Sequence, residues 1–353
     1  MKLLSHAEQV ALHLRAEILQ GRWLETLPGI LTLAREFGVN HNTIDAALKQ
    51  LEAEGLLVTQ GRGRKRRVVL PAGSPDVRPL RVRVLPYERT RGALPLDVEL
   101  VDRLQEAGFA AGLTRRSLHD LDMDPKRVAR FVASTPGDAW IVMAGSREVL
   151  EWFSVQPIPC IAMFGRFIGL PIAATSPRKV PSLVVIVRRL VELGHRRIVM
   201  LVREERRIPK PALAEQVFLD ELAACGIQPS AYNLPAWEDT PDGLHRGLDS
   251  LFRHTPPTAM IVCEPKIFSA TQLHLARRGI TAPEHVSLIC DDPETTFDWC
   301  QPAISHIRWD PAPVIARVVR WARNVARGKD DRRQTLIKSE WVEGGTVGPP
   351  PRN

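Results

Sequence analysis

Between Leu27 and Val69 the sequence reads LPGILTLAREFGVNHNTIDAALKQLEAEGLLVTQGRGRKRRVV, and its punctuation leaves few ways to fold. Gly38 suits the left-handed conformation that ends a helix. Asn40, two residues on, suits an N-cap because its short side chain can accept a hydrogen bond from an unpaired amide of the next turn. Two helices are expected, roughly Gly29 to Phe37 and His41 to Glu54, joined by the tight turn of a helix-turn-helix. Leu33, Phe37, Val39, Ile44, Leu48 and Leu51 fall at spacings that can face one small core. His41, Asn42, Asp45 and Lys49 then point outward from the second helix, whose N-terminal part enters the major groove in such motifs.

After Gly55 the helical spacing stops. Leu56 to Thr59 and Val68 to Leu70 read as two short strands of a β-hairpin, and five of the seven residues from Gly61 to Arg67 between them are Arg or Lys. A cationic tip beside a recognition helix suits phosphate or minor-groove contact. The residues expected to touch DNA are Arg35, Asn40, His41, Asn42, Thr43, Asp45 and Lys49 in the helices, and Arg62, Arg64 and Lys65 in the wing.

The segment resembles the winged helix-turn-helix of GntR-type transcription regulators. The matching landmarks are Leu27-Pro28, Gly38-Val39-Asn40 with Asn42-Thr43-Ile44, Ala47-Leu48 with Leu51, Glu54-Gly55-Leu56, and Gly61-Arg62-Gly63. The resemblance implies arginines near Leu31 and at the positions of His41 and Asp45. Their absence leaves the basic wing more of the affinity, and Asp45 near DNA would repel phosphate unless it accepts from a cytosine amino group.

Ser5 and Glu8 stand at the spacing of a capping box ahead of Val10, Leu14, Ile18 and Leu19, so a further helix is expected from Ser5 to Gln20. Trp23 and Leu24 read as core residues. The nine residues from Pro71 to Pro79 hold three prolines, a glycine and a serine, which suits an exposed, moderately stiff linker. The expected organisation is a DNA-binding domain over 1–70, a linker over 71–79 and a larger domain over 80–350.

From Leu80 the pattern alternates. Strands are expected at Leu80–Leu85, Trp140–Met143, Cys160–Phe164, Arg197–Val202, Thr258–Cys263 and Val286–Asp291. Helices are expected at Leu96–Ala107, Pro125–Ala133, Leu183–Leu193, Ala212–Cys225 and Phe268–Arg278. Such alternation implies parallel sheets covered on both faces, and two α/β units in tandem would form two lobes with a cleft between them.

This part is similar to the ligand-sensing core of LacI-type regulators, itself similar to periplasmic sugar-binding proteins. The resemblance is carried by Leu190-Val191-Glu192-Leu193-Gly194-His195-Arg196-Arg197-Ile198, Pro257-Thr258-Ala259, Arg278-Gly279-Ile280 with Pro283 to Ile289, and the tail Glu343 to Pro349. Joined to the head, it looks like the arrangement of arabinose-responsive repressors. It implies a homodimer on double-stranded operator DNA and a small-molecule effector, a sugar, between the lobes. The family's Gly-Phe-Asp-Asp run is replaced by Cys290-Asp291-Asp292-Pro293, its Asn-Asp pair by Glu264-Pro265, and an expected Arg by Ala214.

Ligands of open α/β sheets bind outside the carboxyl ends of strands, so Asp291, Asp292 and Glu264 are candidate ligand-binding residues, with Arg178 before a helix. The rings of Trp299 and Phe297 can stack on a sugar face, with core packing as the alternative. Trp309 and Trp321 read as core or interface, and His195 as a structural residue at a helix end.

A net charge of +8 permits nucleic acid as a partner, but residues 1–79 hold 11 Lys or Arg against 8 Asp or Glu, so concentration in the wing carries that argument. The five cysteines form no CxxC pair, so neither a disulfide framework nor a metal site is expected, and no cofactor. No hydrolase elbow, HExxH or Rossmann fingerprint occurs, which argues against an enzyme. Nor is there an apolar run able to span a bilayer or a signal peptide, so a cytoplasmic protein is expected. The reading is a DNA-binding repressor answering to a polar metabolite. Its rivals are a DNA-binding protein whose core is only a dimerisation scaffold, and a two-lobed α/β enzyme acting on sugars.

Overall fold

The computed structural model describes residues 5–19, 23, 26–61, 65–69, 79–88 and 95–352. The N-terminal part packs three helices, His6–Leu19, Ile30–Phe37 and His41–Ala53, against an antiparallel pair of strands, Leu57–Val58 and Arg67–Val68. The local rules explain the boundaries. Ser5 N–H donates to Glu8 Oε2 at 2.7 Å and Glu8 N–H to Ser5 Oγ at 3.2 Å, a reciprocal capping box. Gly38 ends the second helix at φ +64°, and the Asn40 side chain accepts from Asn42 N–H at 3.0 Å to start the third. Leu14, Ile18, Trp23, Leu33, Ile44, Leu48, Leu51, Leu57 and Val68 close one core, each aliphatic side chain contributing roughly 1.5–3 kcal/mol by leaving water. Phe37 and Val39 pack at its edge half-buried. Leu24 and residues 71–78 of the expected linker lie outside the described residues.

The rest forms two lobes, each built on one sheet. The first has six parallel strands in the spatial order Gln334–Ile337, Ala173–Pro177, Cys160–Met163, Ala139–Met143, Arg81–Leu85 and Ala110–Leu113. The second has five, in the order Ser339–Val342, Ser305–Trp309, Ser287–Cys290, Ala259–Val262 and Ile198–Leu201. All of these run parallel except the edge strand Ser339–Val342. The inner strands, such as AWIVM at 139–143 and AMIV at 259–262, are buried at every position, as sheets covered on both faces require.

The lobes are not simple tandem units. After Pro177 the chain enters the second lobe through the helix Val180–Glu192. After Trp309 it returns to the first through Pro311–Ala326, whose Val314, Val318 and Trp321 pack on the first sheet. It then adds Gln334–Ile337 to the first sheet and Ser339–Val342 to the second, with only Lys338 between. Three chain crossings therefore join the lobes side by side. The tail is tied to the second lobe by Thr346, which donates to Leu288 O at 2.7 Å, and by buried His195, whose Nε2 meets Gly348 O at 2.8 Å. His195 is structural, as its sequence context implied. Among the described residues no helix is long and apolar enough to cross a membrane, and all five cysteines are free.

Candidate functional site

Two polar surfaces stand out, one on the head and one between the lobes. On the head, His41 and Asn42 are exposed at the N-terminus of the helix His41–Ala53. Thr43 is half-buried behind them, and Arg35 is exposed in the last turn of the preceding helix. Lys65 is exposed on the wing, and Arg62 and Arg64 lie outside the described residues. Asn40 has its side-chain oxygen engaged in the cap.

Asp45 is placed differently from the sequence expectation. Its carboxylate faces the wing, with Lys49 Nζ at 2.9 Å and Arg66 Nη2 at 3.3 Å. The hydrogen bond from Lys49, with the charge of Arg66, holds its pKa below the ordinary range. Arg66 also donates through Nε to Glu52, which accepts from Thr59 Oγ1 at 2.7 Å. The acid at the position of a family arginine thus ties the wing to the recognition helix, and its like charge towards phosphate is already compensated. Arg66 was not singled out from the sequence, where it is one cation among five.

Between the lobes, the side chains come from the carboxyl ends of parallel strands, where open α/β sheets place their ligands. The first lobe brings Tyr87 and Glu88 after Arg81–Leu85, and Phe164 to Arg166 after Cys160–Met163. The second brings Arg203 after Ile198–Leu201, Glu264 after Ala259–Val262, and Asp291 with Asp292 after Ser287–Cys290. Glu264 sits at φ +56° and Phe164 at φ +67°. Non-glycine residues in that region are strained and concentrate at functional sites.

Arg203 is the hub. It is 3% exposed, and its guanidinium donates to Glu264 at 2.5 and 2.6 Å and to Asp239 at 2.5 Å, lies 3.4 Å from Glu88, and stacks 4.6 Å over the Tyr87 ring. Burial opposes its charge, but Glu264 and the neighbouring acids outweigh that and hold it cationic. A second group forms beside it. Lys179 Nζ meets Asp292 at 2.7 Å and Asp291 at 3.6 Å, while Arg206 bridges Asp291 at 2.9 Å and Glu215 at 2.5 Å. Burial pushes Asp292 upward, with the charge of Asp291 adding to it, and Lys179 only partly offsets them. Asp291 is held low because Lys179 and Arg206 overcome its burial. Arg166, from the first lobe, clasps the turn after Arg203 by donating to the carbonyls of Glu205 at 3.1 Å, Ile208 at 2.9 Å and Lys210 at 2.8 Å.

The structure therefore brings Asp291, Asp292 and Glu264 together, and leaves two expected residues out. Arg178 is exposed, and its backbone is used in the crossing, N–H to Ile337 O at 2.8 Å; its neighbour Lys179 is the side chain that reaches the acids. Trp299 is 90% exposed and stacks on nothing in the cleft, while Phe297 is core, packed on Phe268. Trp309 donates through Nε1 to Asp292 at 2.8 Å and meets Phe164 edge-on; Trp321 is buried core. Tyr87, Arg166, Arg203, Arg206 and Asp239 were not legible as site residues. Tyr87 and Arg203 carried a signal, each standing two residues beyond a strand end.

Residues 6–65 match the bacterial regulatory proteins of the gntR family, and residues 187–347 match the periplasmic binding protein-like domain. The chain thus carries a gntR-type segment at residues 6–65 and a periplasmic-binding-protein-like segment at residues 187–347. None of the curated proteins matches it by sequence. Among solved structures, the transcriptional regulator CelR in complex with cellobiose is similar over 91% of this chain and 100% of its own, with 16% identity and a TM-score of 0.61. A LacI family regulator from Enterococcus faecium with bound ribose covers 76% of this chain and 99% of its own at 15% identity and a TM-score of 0.59. The lac repressor dimer bound to operator and the anti-inducer ONPF covers 77% and 95% at 15% identity and a TM-score of 0.60. At these identities the likeness establishes the fold, which is that of LacI-type regulators behind a gntR-type head.

Proposed function

We propose that this gntR-headed chain is a cytoplasmic transcription regulator, a repressor, that binds a palindromic operator as a homodimer and is controlled by a small polar metabolite. Domain limits of 1–70 for the reader, 71–79 for the linker and 80–350 for the sensor fit this reading. The observation that carries it is the pairing of two surfaces in one chain. A gntR-type recognition helix leaves His41 and Asn42 exposed at its N-terminus, and a two-lobed core gathers Asp291, Asp292 and Glu264 at strand ends. On the head, Arg35, Asn40, His41, Asn42, Thr43 and Lys49 would meet DNA, with Arg62, Arg64 and Lys65 on phosphate. CelR holds cellobiose and the Enterococcus faecium regulator holds ribose in structures of this fold, which supports a sugar or sugar derivative as effector here. The head matches bacterial regulatory proteins, and the adjacent carboxylates Asp291 and Asp292 are tied up by Lys179 and Arg206, which speaks against their use as an acid and base pair in the two-lobed enzyme reading.

Control follows from a two-state balance. An effector shifts the lobes only by the difference in its affinity for their two arrangements, and the lobes of each protomer set the spacing of the paired heads. The scaffold reading is favoured by one observation: the chain's own ion pairs fill the space between the lobes. A thermal-shift panel of sugars and phosphorylated sugars, run beside operator binding by fluorescence anisotropy, separates the two. A ligand that raises the melting temperature and changes operator affinity supports the sensor; operator binding that no panel member alters supports the scaffold.

A further inference from the structure

This inference rests on the reading of the interlobe space as an effector cleft, and names the chemistry of the effector. The Tyr87 hydroxyl carries one proton, yet two carboxylates face it, Glu205 Oε1 at 3.0 Å and Asp239 Oδ2 at 3.1 Å. Only one of them can accept it. Asp239 has another donor, because Arg203 Nη1 reaches the same oxygen at 2.5 Å. Glu205 has none: its second oxygen, Oε2, is buried and meets no hydrogen-bond donor among the described residues. Its neighbour on the turn, Arg207, does not supply it: Arg207 Nε is likewise buried without a hydrogen-bond partner among the described residues, although the two charges feel one another. A buried carboxylate oxygen without a donor is costly, and a donor from outside the chain relieves that cost.

The charge around it says what that is. Arg203 and Lys266 pair with three carboxylates, Glu88, Asp239 and Glu264, while a fourth, Glu205, is reached by the Tyr87 hydroxyl and feels the charge of Arg207, so four acids face three cations. A hydroxyl of a neutral sugar could supply a proton to Glu205 but would leave the excess negative charge in place. A cation supplies both the donor and the charge. The Tyr87 ring already shows that the space suits one, since the Arg203 guanidinium lies over its face. We propose that the effector carries an ammonium or guanidinium group and that Glu205 receives it, with Tyr87 and Asp239 beside it.

A matched pair tests this on the full chain: D-glucosamine against D-glucose, with agmatine as a guanidinium probe, read as apparent Kd from thermal shifts at neutral pH. The two cations should bind at least about ten-fold more tightly than glucose, in line with a charge-assisted hydrogen bond. Glu205→Gln keeps the shape and removes the charge, so the preference should fall to about one-fold; Glu205→Asp keeps the charge and should retain a preference. The ligand-free melting temperature of each variant reports its folding. Equal binding of glucose and glucosamine, a preference that survives in Glu205→Gln, or silence towards all three probes overturns the proposal. A response to glucose alone overturns it too, but leaves the effector reading standing, which the wider sugar panel judges separately.

Discussion

The head and the cleft treat their charges in opposite ways. On the head, Arg35, His41 and Lys65 form no intramolecular ion pair among the described residues, and the one acid on the reading face, Asp45, is neutralised by Lys49 and Arg66. The surface is therefore arranged in advance for an outside polyanion. In the cleft, Arg203 is buried, Lys179 and Arg206 are half-buried, and each pairs with two or more carboxylates from the chain itself. An effector must compete with those pairs, so its apparent affinity is reduced by the cost of parting them. DNA binding should accordingly follow salt in a simple way, while effector binding should depend on which internal pairs it replaces.

The largest expected effect is on the buried hub. Arg203→Met removes the cation that Glu264 and Asp239 share, and should lower the stability of the core by about 2–3 kcal/mol in urea unfolding, because it leaves two half-buried carboxylates without their partner, a loss that water screens in part. A loss below about 1 kcal/mol, the usual worth of a solvated pair, would erase the contrast between the two regions. Next comes the wing. Replacing Arg62, Arg64 and Lys65 together with Ala should weaken binding to every DNA sequence and reduce the slope of log K against log salt by about 2–3, roughly 0.9 for each phosphate that is no longer neutralised. An unchanged slope would place the wing off the DNA.

Asn42→Ala should act locally. If Asn42 reads an adenine edge, the change costs about 1–3 kcal/mol at one base pair and relaxes preference there alone; a uniform loss over all sequences would reduce Asn42 to a backbone contact. The smallest effect sharpens what pairing does in the core. Asp97 is buried with its Oδ1 unpartnered, and burial raises its pKa to about 6. Its folded pKa lies above its unfolded one, so it favours folding below about pH 4 and loses that contribution as pH rises through about 6. Asp97→Asn should therefore raise the melting temperature by a few degrees, roughly, at pH 7.5 and leave it nearly unchanged at about pH 3.5. A gain independent of pH would mean that charge is not the cause.

The head was legible almost residue by residue, because caps and glycines act over three or four positions: Ser5 with Glu8, Gly38, and Asn40 with Asn42. The lobes were legible where strands are apolar throughout. The strands Ala110–Leu113 and Ala173–Pro177 went unread because AAGL and AATSP are mostly small residues, with Thr175 the one β-branched side chain between them, and parallel neighbours far along the chain complete them. Gln334–Ile337 and Ser339–Val342 look like one strand, since nothing local tells that Lys338 separates two sheets. The cleft was half legible. Strand ends pointed to Asp291, Asp292 and Glu264, but their partners Lys179, Arg203 and Arg206 are set by pairings 61 or more residues away, or 85 in the pair of Arg206 with Asp291. Charge pairing at that range leaves no periodic trace.

The most direct test of the account is a DNase I footprint of the full-length protein on the DNA upstream of its own gene, with and without the ligand that most raises its melting temperature. The account predicts two protected half-sites related by two-fold symmetry, whose protection changes in the same concentration range as the thermal shift. Protection of a single unpaired site, or of none, would contradict it.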